Sequence, residues 1–255
     1  MKKRNNWVVL FGVLLSWTIV AHAGWYVVDS YEGHIGPYPV HLSLQKEDFG
    51  SGLNMEGSYY YDSHHAPIPL YGKMVGTTIE VCEVHNASEY EKYLVQGSRH
   101  GFATGGCAFK LTSGDNILRG TWQDPTHRYD VSLTRTASLD DTASPGTTKG
   151  DVRVPFWGQT STHSFVGLYQ GTADGLAIHR IEVINKKTGK VDQIIDPQLY
   201  GCQFGFFTTP IYMNLESETD ASSIRLNCYS KGQYDNTVEY RFDRANHSYR
   251  AIGGN

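Results

Sequence analysis

Tyr38-Pro39-Val40-His41-Leu42-Ser43-Leu44 places Val40, Leu42 and Leu44 on one face and Pro39 and His41 on the other. A period of two is the signature of a strand with one buried side, and Pro39 marks its start or an edge. Similar short runs follow. Met55 to Asp62 is rich in tyrosine. Ile68, Leu70 and Gly72 alternate, and so do Ile79 and Val81 within Thr77 to Val84. Gly101 to Leu111, Ile117 to Gln123 and Tyr129 to Arg135 complete the first half. Turn residues such as Gly50-Ser51-Gly52 and Ser113-Gly114-Asp115-Asn116 separate them. Strands this short and this regular predict an antiparallel barrel or sandwich.

The composition shifts at Ala137 to Gly150, where serine, threonine, aspartate, glycine and Pro145 dominate. This stretch reads as a linker or long loop. The strand pattern then resumes at Ala177 to Asn185, turns at Lys186-Lys187-Thr188-Gly189-Lys190, and returns through Val191 to Ile195. Pro210 to Leu215, Ser223 to Tyr229, Asn236 to Phe242 and Tyr249 to Ile252 read as further strands. A short helix is expected only around Ser88 to Val95. The chain is thus expected to be all-β, with a barrel- or sandwich-like module over 24–136, the linker or long loop over 137–150, and a second β-rich module over 151–255.

Residues 1–23 carry a different signal. Lys2, Lys3 and Arg4 precede an apolar run from Trp7 to Val20, and Ala21-His22-Ala23 ends it. Charged start, short apolar middle and A-x-A end are the parts of a cleaved secretion signal. The run is shorter than the ~20 apolar residues of a bilayer span, and no second such run follows. A periplasmic or secreted chain without a membrane span is expected. Losing the signal takes the net charge from −4 to −7. An acidic domain is a poor partner for nucleic acid and a better one for a basic protein.

Four cysteines remain: Cys82, Cys107, Cys202 and Cys228. An even number in an oxidising compartment predicts two disulfides. Three pairings are open, and Cys82–Cys107 with Cys202–Cys228 keeps each bridge inside one half. No C-x-x-C, H-x-x-x-H or H-E-x-x-H spacing provides a zinc site. No G-x-S-x-G elbow or phosphate-cradling glycine–lysine loop is present. The expectation is a protein that is not an enzyme and needs no cofactor. Asn214, Glu216, Glu218 and Asp220 form an alternating set of oxygen donors for calcium. They lack the glycine of a tight loop, so a solvated acidic loop is the first reading there.

Two resemblances cover most of the chain. Gly33-His34-Ile35-Gly36-Pro37-Tyr38-Pro39-Val40, Gly57-Ser58-Tyr59-Tyr60-Tyr61, Ile68-Pro69-Leu70-Tyr71-Gly72, Ile79-Glu80-Val81-Cys82-Glu83 and Gly120-Thr121-Trp122 resemble a β-module of bacterial exported proteins. Ile181 to Ile195, Tyr240-Arg241-Phe242-Asp243 and Ser248-Tyr249-Arg250 are similar to periplasmic lysozyme inhibitors and to immunity proteins against lysozyme-like secreted effectors. The second resemblance implies a propeller- or sandwich-like fold for 151–255, in a non-enzymatic protein whose loops plug the cleft of a peptidoglycan hydrolase or secreted effector. An envelope-glycan binding module and a carboxylate-dependent glycan hydrolase are the alternatives. The expected contact loop is the aromatic run Tyr200, Phe204, Phe206 and Phe207 around Cys202, with Tyr200 as its anchor.

Overall fold

A computed structural model describes residues 26–47, 55–90, 105–140, 147–172, 175–197, 211–217, 222–228 and 236–252. The chain is all-β, with α1 (Ala87–Tyr90) and a single 3-10 turn at Ile211–Met213 as the helical pieces among the described residues. β1 (Tyr26–Ile35), β2 (Tyr38–Glu47), β3 (Met55–Tyr61), β4 (Ile68–Val75), β5 (Thr78–Glu83), β6 (Phe109–Ser113), β7 (Ile117–Gln123) and β8 (Arg128–Asp140) pair in sequence order, all antiparallel. β8 then pairs β1, from Val27↔Asp140 to Ile35↔Val131, and closes an eight-stranded barrel. Closure removes the open edges that a sheet of this length would otherwise expose.

The barrel has a packed interior. Val40, Leu42, Leu44, Tyr59, Leu70, Val81, Phe109, Leu111, Leu118 and Leu133 are buried within it. Eight strands leave an interior just wide enough for side chains, and glycines tighten it further. A Cβ on Gly72 would lie 2.0 Å from the Glu80 carbonyl oxygen, and one on Gly120 would lie 2.0 Å from that of Lys110. Cys82 and Cys107 form a disulfide that ties the end of β5 to the approach to β6. This is the pairing expected for the first half. β6 begins at Phe109, and Gly105-Gly106 is a turn rather than the middle of a strand from Gly101.

Beyond the barrel, β9 (Thr147–Lys149) pairs back on β8 through Ser138↔Lys149 and Asp140↔Thr147. Two four-stranded antiparallel sheets follow. One is β10 (Val152–Pro155), β11 (His163–Thr172), β12 (Gly175–Asn185) and β13 (Val191–Ile195). The other is β14 (Leu215–Ser217), β15 (Ser223–Cys228), β16 (Asn236–Asp243) and β17 (Ser248–Ile252). Both sheets feed one core, which includes Phe156, Phe165, Ile181, Tyr212, Leu226 and Tyr249.

That core also holds Tyr26, Val28, Ala137 and Leu139 from the ends of β1 and β8. The flanks of 137–150 are therefore strand, in place of the expected linker or long loop, while 141–146 lies outside the described residues. The stretch has few apolar residues, but Ala137 and Leu139 are spaced by two and both turn inward. Three of the four expected strands after residue 200 recur as β15, β16 and β17. Pro210 to Leu215 differs: Ile211–Met213 is a 3-10 turn and the strand starts at Leu215.

Candidate functional site

The outer wall of β2, β3 and β4 sits against the second half of the chain, and the seam between them is polar. Tyr212 and Ser43 share a hydrogen bond of 2.9 Å between their hydroxyls. The Ile211 N–H donates to Gln45 Oε1 at 3.0 Å, and the Trp157 indole N–H donates to the Gly57 carbonyl at 2.8 Å. Gln159 Nε2 donates to the Pro67 carbonyl at 2.9 Å. Buried polar groups must be paired, so these bonds fix how the halves meet. Lys186 ties the same corner, donating from Nζ to Gln159 Oε1 at 2.5 Å and to the Thr160 carbonyl at 2.6 Å. Burial pulls its ammonium below the usual lysine range.

An open groove of about 550 Å³ runs along this seam. One wall is Pro67-Ile68-Pro69 at the start of β4, with Val84, His85 and Asn86 after β5. The prolines carry no N–H, and their carbonyls are taken by Gln159 and by the Val84 N–H at 2.9 Å. That wall is accordingly apolar although it is backbone-rich. Trp157-Gly158-Gln159 forms the floor, and Met213, Leu215, Glu216 and Ser217 form the opposite wall. A Cβ on Gly158 would lie 2.2 Å from the Leu215 carbonyl oxygen, so only glycine lets the floor approach β14. The Trp157 ring stacks on Tyr212 with centroids 6.0 Å apart and planes 13° apart. Asn86 caps α1 by accepting from the Glu89 N–H at 3.0 Å, while Glu89 Oε2 accepts from the His85 N–H at 2.6 Å. The result is an apolar trough with His85, Asn86, Gln159, Glu216 and Ser217 as its polar rim. Such a lining suits a bound segment with an apolar stem and polar flanks.

Sequence reasoning reached the groove at one residue, Glu216. Asn214, two residues earlier, is buried instead: its Nδ2 donates to the Tyr169 hydroxyl at 3.0 Å. Asn214 does not line the groove with Glu216, and Glu218 and Asp220 lie outside the described residues. Among the described residues no group of three or more His, Cys, Asp or Glu side chains could hold a metal ion. Tyr200, Phe204, Phe206 and Phe207 lie outside the described residues, as does Cys202. Cys228 ends β15. Among the described residues no helix is long and apolar enough to cross a membrane. The Trp157 floor and the proline wall escaped sequence reading because they are some ninety residues apart and meet only through the seam. Comparisons with protein-family models, with curated proteins and with solved structures give no match.

Proposed function

We propose that the chain is an exported, non-catalytic binding protein whose groove receives a segment of a protein partner. The partner class that best fits is a cell-wall-degrading enzyme of the lysozyme type, which the bound protein would block. The open groove carries this reading: an apolar trough of about 550 Å³ with a polar rim, lined by four chain segments that the seam hydrogen bonds keep in place. A rigid recess loses little conformational entropy on binding. The acidic balance of the chain after loss of the signal supports a basic partner by electrostatic steering. The C-terminal half, two sheets around one core, is read as sandwich-like rather than propeller-like. The extracytoplasmic address rests on residues 1–23.

The test is direct. Residues 24–255, added to lysozyme-type enzymes on a peptidoglycan suspension, should stop clearing near one-to-one stoichiometry and release nothing alone. The exposed pair His85→Ala with Glu216→Lys should weaken the block by about tenfold or more, corresponding to about 1.4 kcal/mol, without changing the melting temperature. Retention of glycan fragments with no enzyme slowed would make the protein a glycan module. Glycan release abolished by one carboxylate substitution would make it a hydrolase.

A further inference from the structure

One end of the barrel carries an acidic group where its strand pattern calls for an apolar one. In β5, Glu83 follows Ile79 and Val81 on the inward face. Its carboxylate closes the mouth formed by the starts of β2 and β8 and the ends of β3 and β7. Glu83 Oε1 accepts from the Tyr59 hydroxyl at 2.5 Å and from the Trp122 indole N–H at 2.7 Å. Oε2 faces His85 Nε2 at 2.9 Å. A carboxylate offers about four lone-pair positions, so one on the Oε2 side is left over. The Glu83 side chain is 12 % exposed and that of His85 is 56 % exposed. Among the described residues no lysine or arginine pairs with this carboxylate, so its partners are two neutral donors and one exposed imidazole. Burial and the Glu83 charge push the Tyr59 hydroxyl well above the usual phenol range, which keeps it a donor.

Aromatic rings surround the carboxylate. Trp122 stacks on Tyr129 at 5.9 Å, and Tyr38 meets Tyr129 at 5.7 Å and Tyr61 at 6.0 Å, both edge-on. Tyr38 is 44 % exposed and stands at the solvent side of these rings. Aromatic faces attract cations within about 6 Å of the ring centroid, and desolvation strengthens the attraction. A buried unit charge without a full counter-charge is costly, and a ligand that brings the missing charge recovers that cost.

We propose that this mouth binds an organic cation, an ammonium or guanidinium group, with Glu83 as the counter-charge and Tyr38, Tyr61, Trp122 and Tyr129 as its walls. His85 gives up Oε2 to the stronger donor. The site stands apart from the groove reading, although His85 borders both. Two sources supply such a group: a free small cation, or a lysine or arginine side chain on a protein.

Residues 24–255 are titrated with arginine amide and with tetramethylammonium, followed by calorimetry and tryptophan fluorescence. At least one probe should bind saturably, and neutral acetylglycinamide should not. Glu83→Gln keeps an oxygen acceptor for Tyr59 and Trp122 but removes the charge. It should weaken binding by about tenfold or more, the effect of about 1.4 kcal/mol, with little change in melting temperature. Should Glu83→Gln unfold the barrel, Tyr38→Ala at the exposed rim decides, with several-fold weakening expected. Competition between arginine amide and a basic lysozyme-type enzyme assigns the site to a protein side chain. Binding of the amide without competition assigns it to a free cation. No saturable binding by either probe, or unchanged affinity in folded Glu83→Gln, overturns the proposal.

Discussion

Replacing Glu56 with glutamine should stabilise the protein above neutral pH and leave it nearly unchanged in acid. Glu56 lies on the outward face of β3, opposite Gln45 on β2 and Tyr71 on β4. That face is covered by the second half of the chain, and Glu56 Oε2 is buried without a hydrogen-bond partner among the described residues. Burial, reinforced by the charge of Glu47, pushes the Glu56 carboxyl well above the usual carboxylate range. The folded state therefore holds a proton that the unfolded chain releases near pH ~4.3. The stability gained from this is fully present below that pH and is lost as pH rises through the folded value. Inside that window each pH unit removes about 1.4 kcal/mol for one retained proton. Glutamine has the same shape and never ionises, so it carries no such slope. Thermal melts of both proteins from pH 4 to pH 8 should diverge by about 3–5 °C per unit inside the window, given about 2–4 °C per kcal/mol for a chain of this size. A difference that stays flat across that range would mean that Glu56 is not held protonated, and the seam would need another explanation.

Two further outcomes follow from the barrel. Replacing Cys82 and Cys107 together with alanine should cost about 3.5 kcal/mol from restored loop entropy, given their separation of 25 residues; urea unfolding measures it, and a loss below about 1 kcal/mol would mean that β5–β6 pairing alone constrains the loop. Gly72→Ala should destabilise near the top of the usual range of about 1–3 kcal/mol for overpacking, because its Cβ would meet backbone atoms of Glu80 and Val81; an unchanged melting temperature would contradict the close approach of β4 and β5.

The all-β class was legible because β2 and β5 turn apolar side chains into the barrel (Val40, Leu42 and Leu44; Ile79 and Val81) and polar ones outward (His41, Ser43 and Gln45; Glu80), so the sequence alternates even where the second half covers the outer face. β1 was invisible for a physical reason. Its two faces are buried by different cores, Tyr26 and Val28 by that of the second half and Tyr31 and Ile35 by the barrel, so no polar face alternates with an apolar one. β11 was hidden differently: His163 to Tyr169 is buried on both faces, which erases alternation. The flanks of 137–150 looked too polar for strand, yet β8 needs only Ala137 and Leu139 inward to extend. The mouth was within reach, since Ile79, Val81 and Glu83 lie at even spacing and an acid on an inward face is a visible anomaly. The groove was not, because Pro67 and Trp157 share no local pattern and are joined by Gln159 and Gly57 through the seam.

Barrel closure also sets a timetable for folding. β1 takes its second partner from β8, which leaves a ribosome on the order of 100 residues later, about 5–20 s at common synthesis rates. Until then β1 can pair only with β2 and presents a bare edge with Tyr26, Val28 and Tyr31 beside it. Unpaired edges of this kind recruit other strands. A chain that crosses a membrane unfolded would face the same interval on the far side, where it would need a holding chaperone until Asp140 reaches Val27.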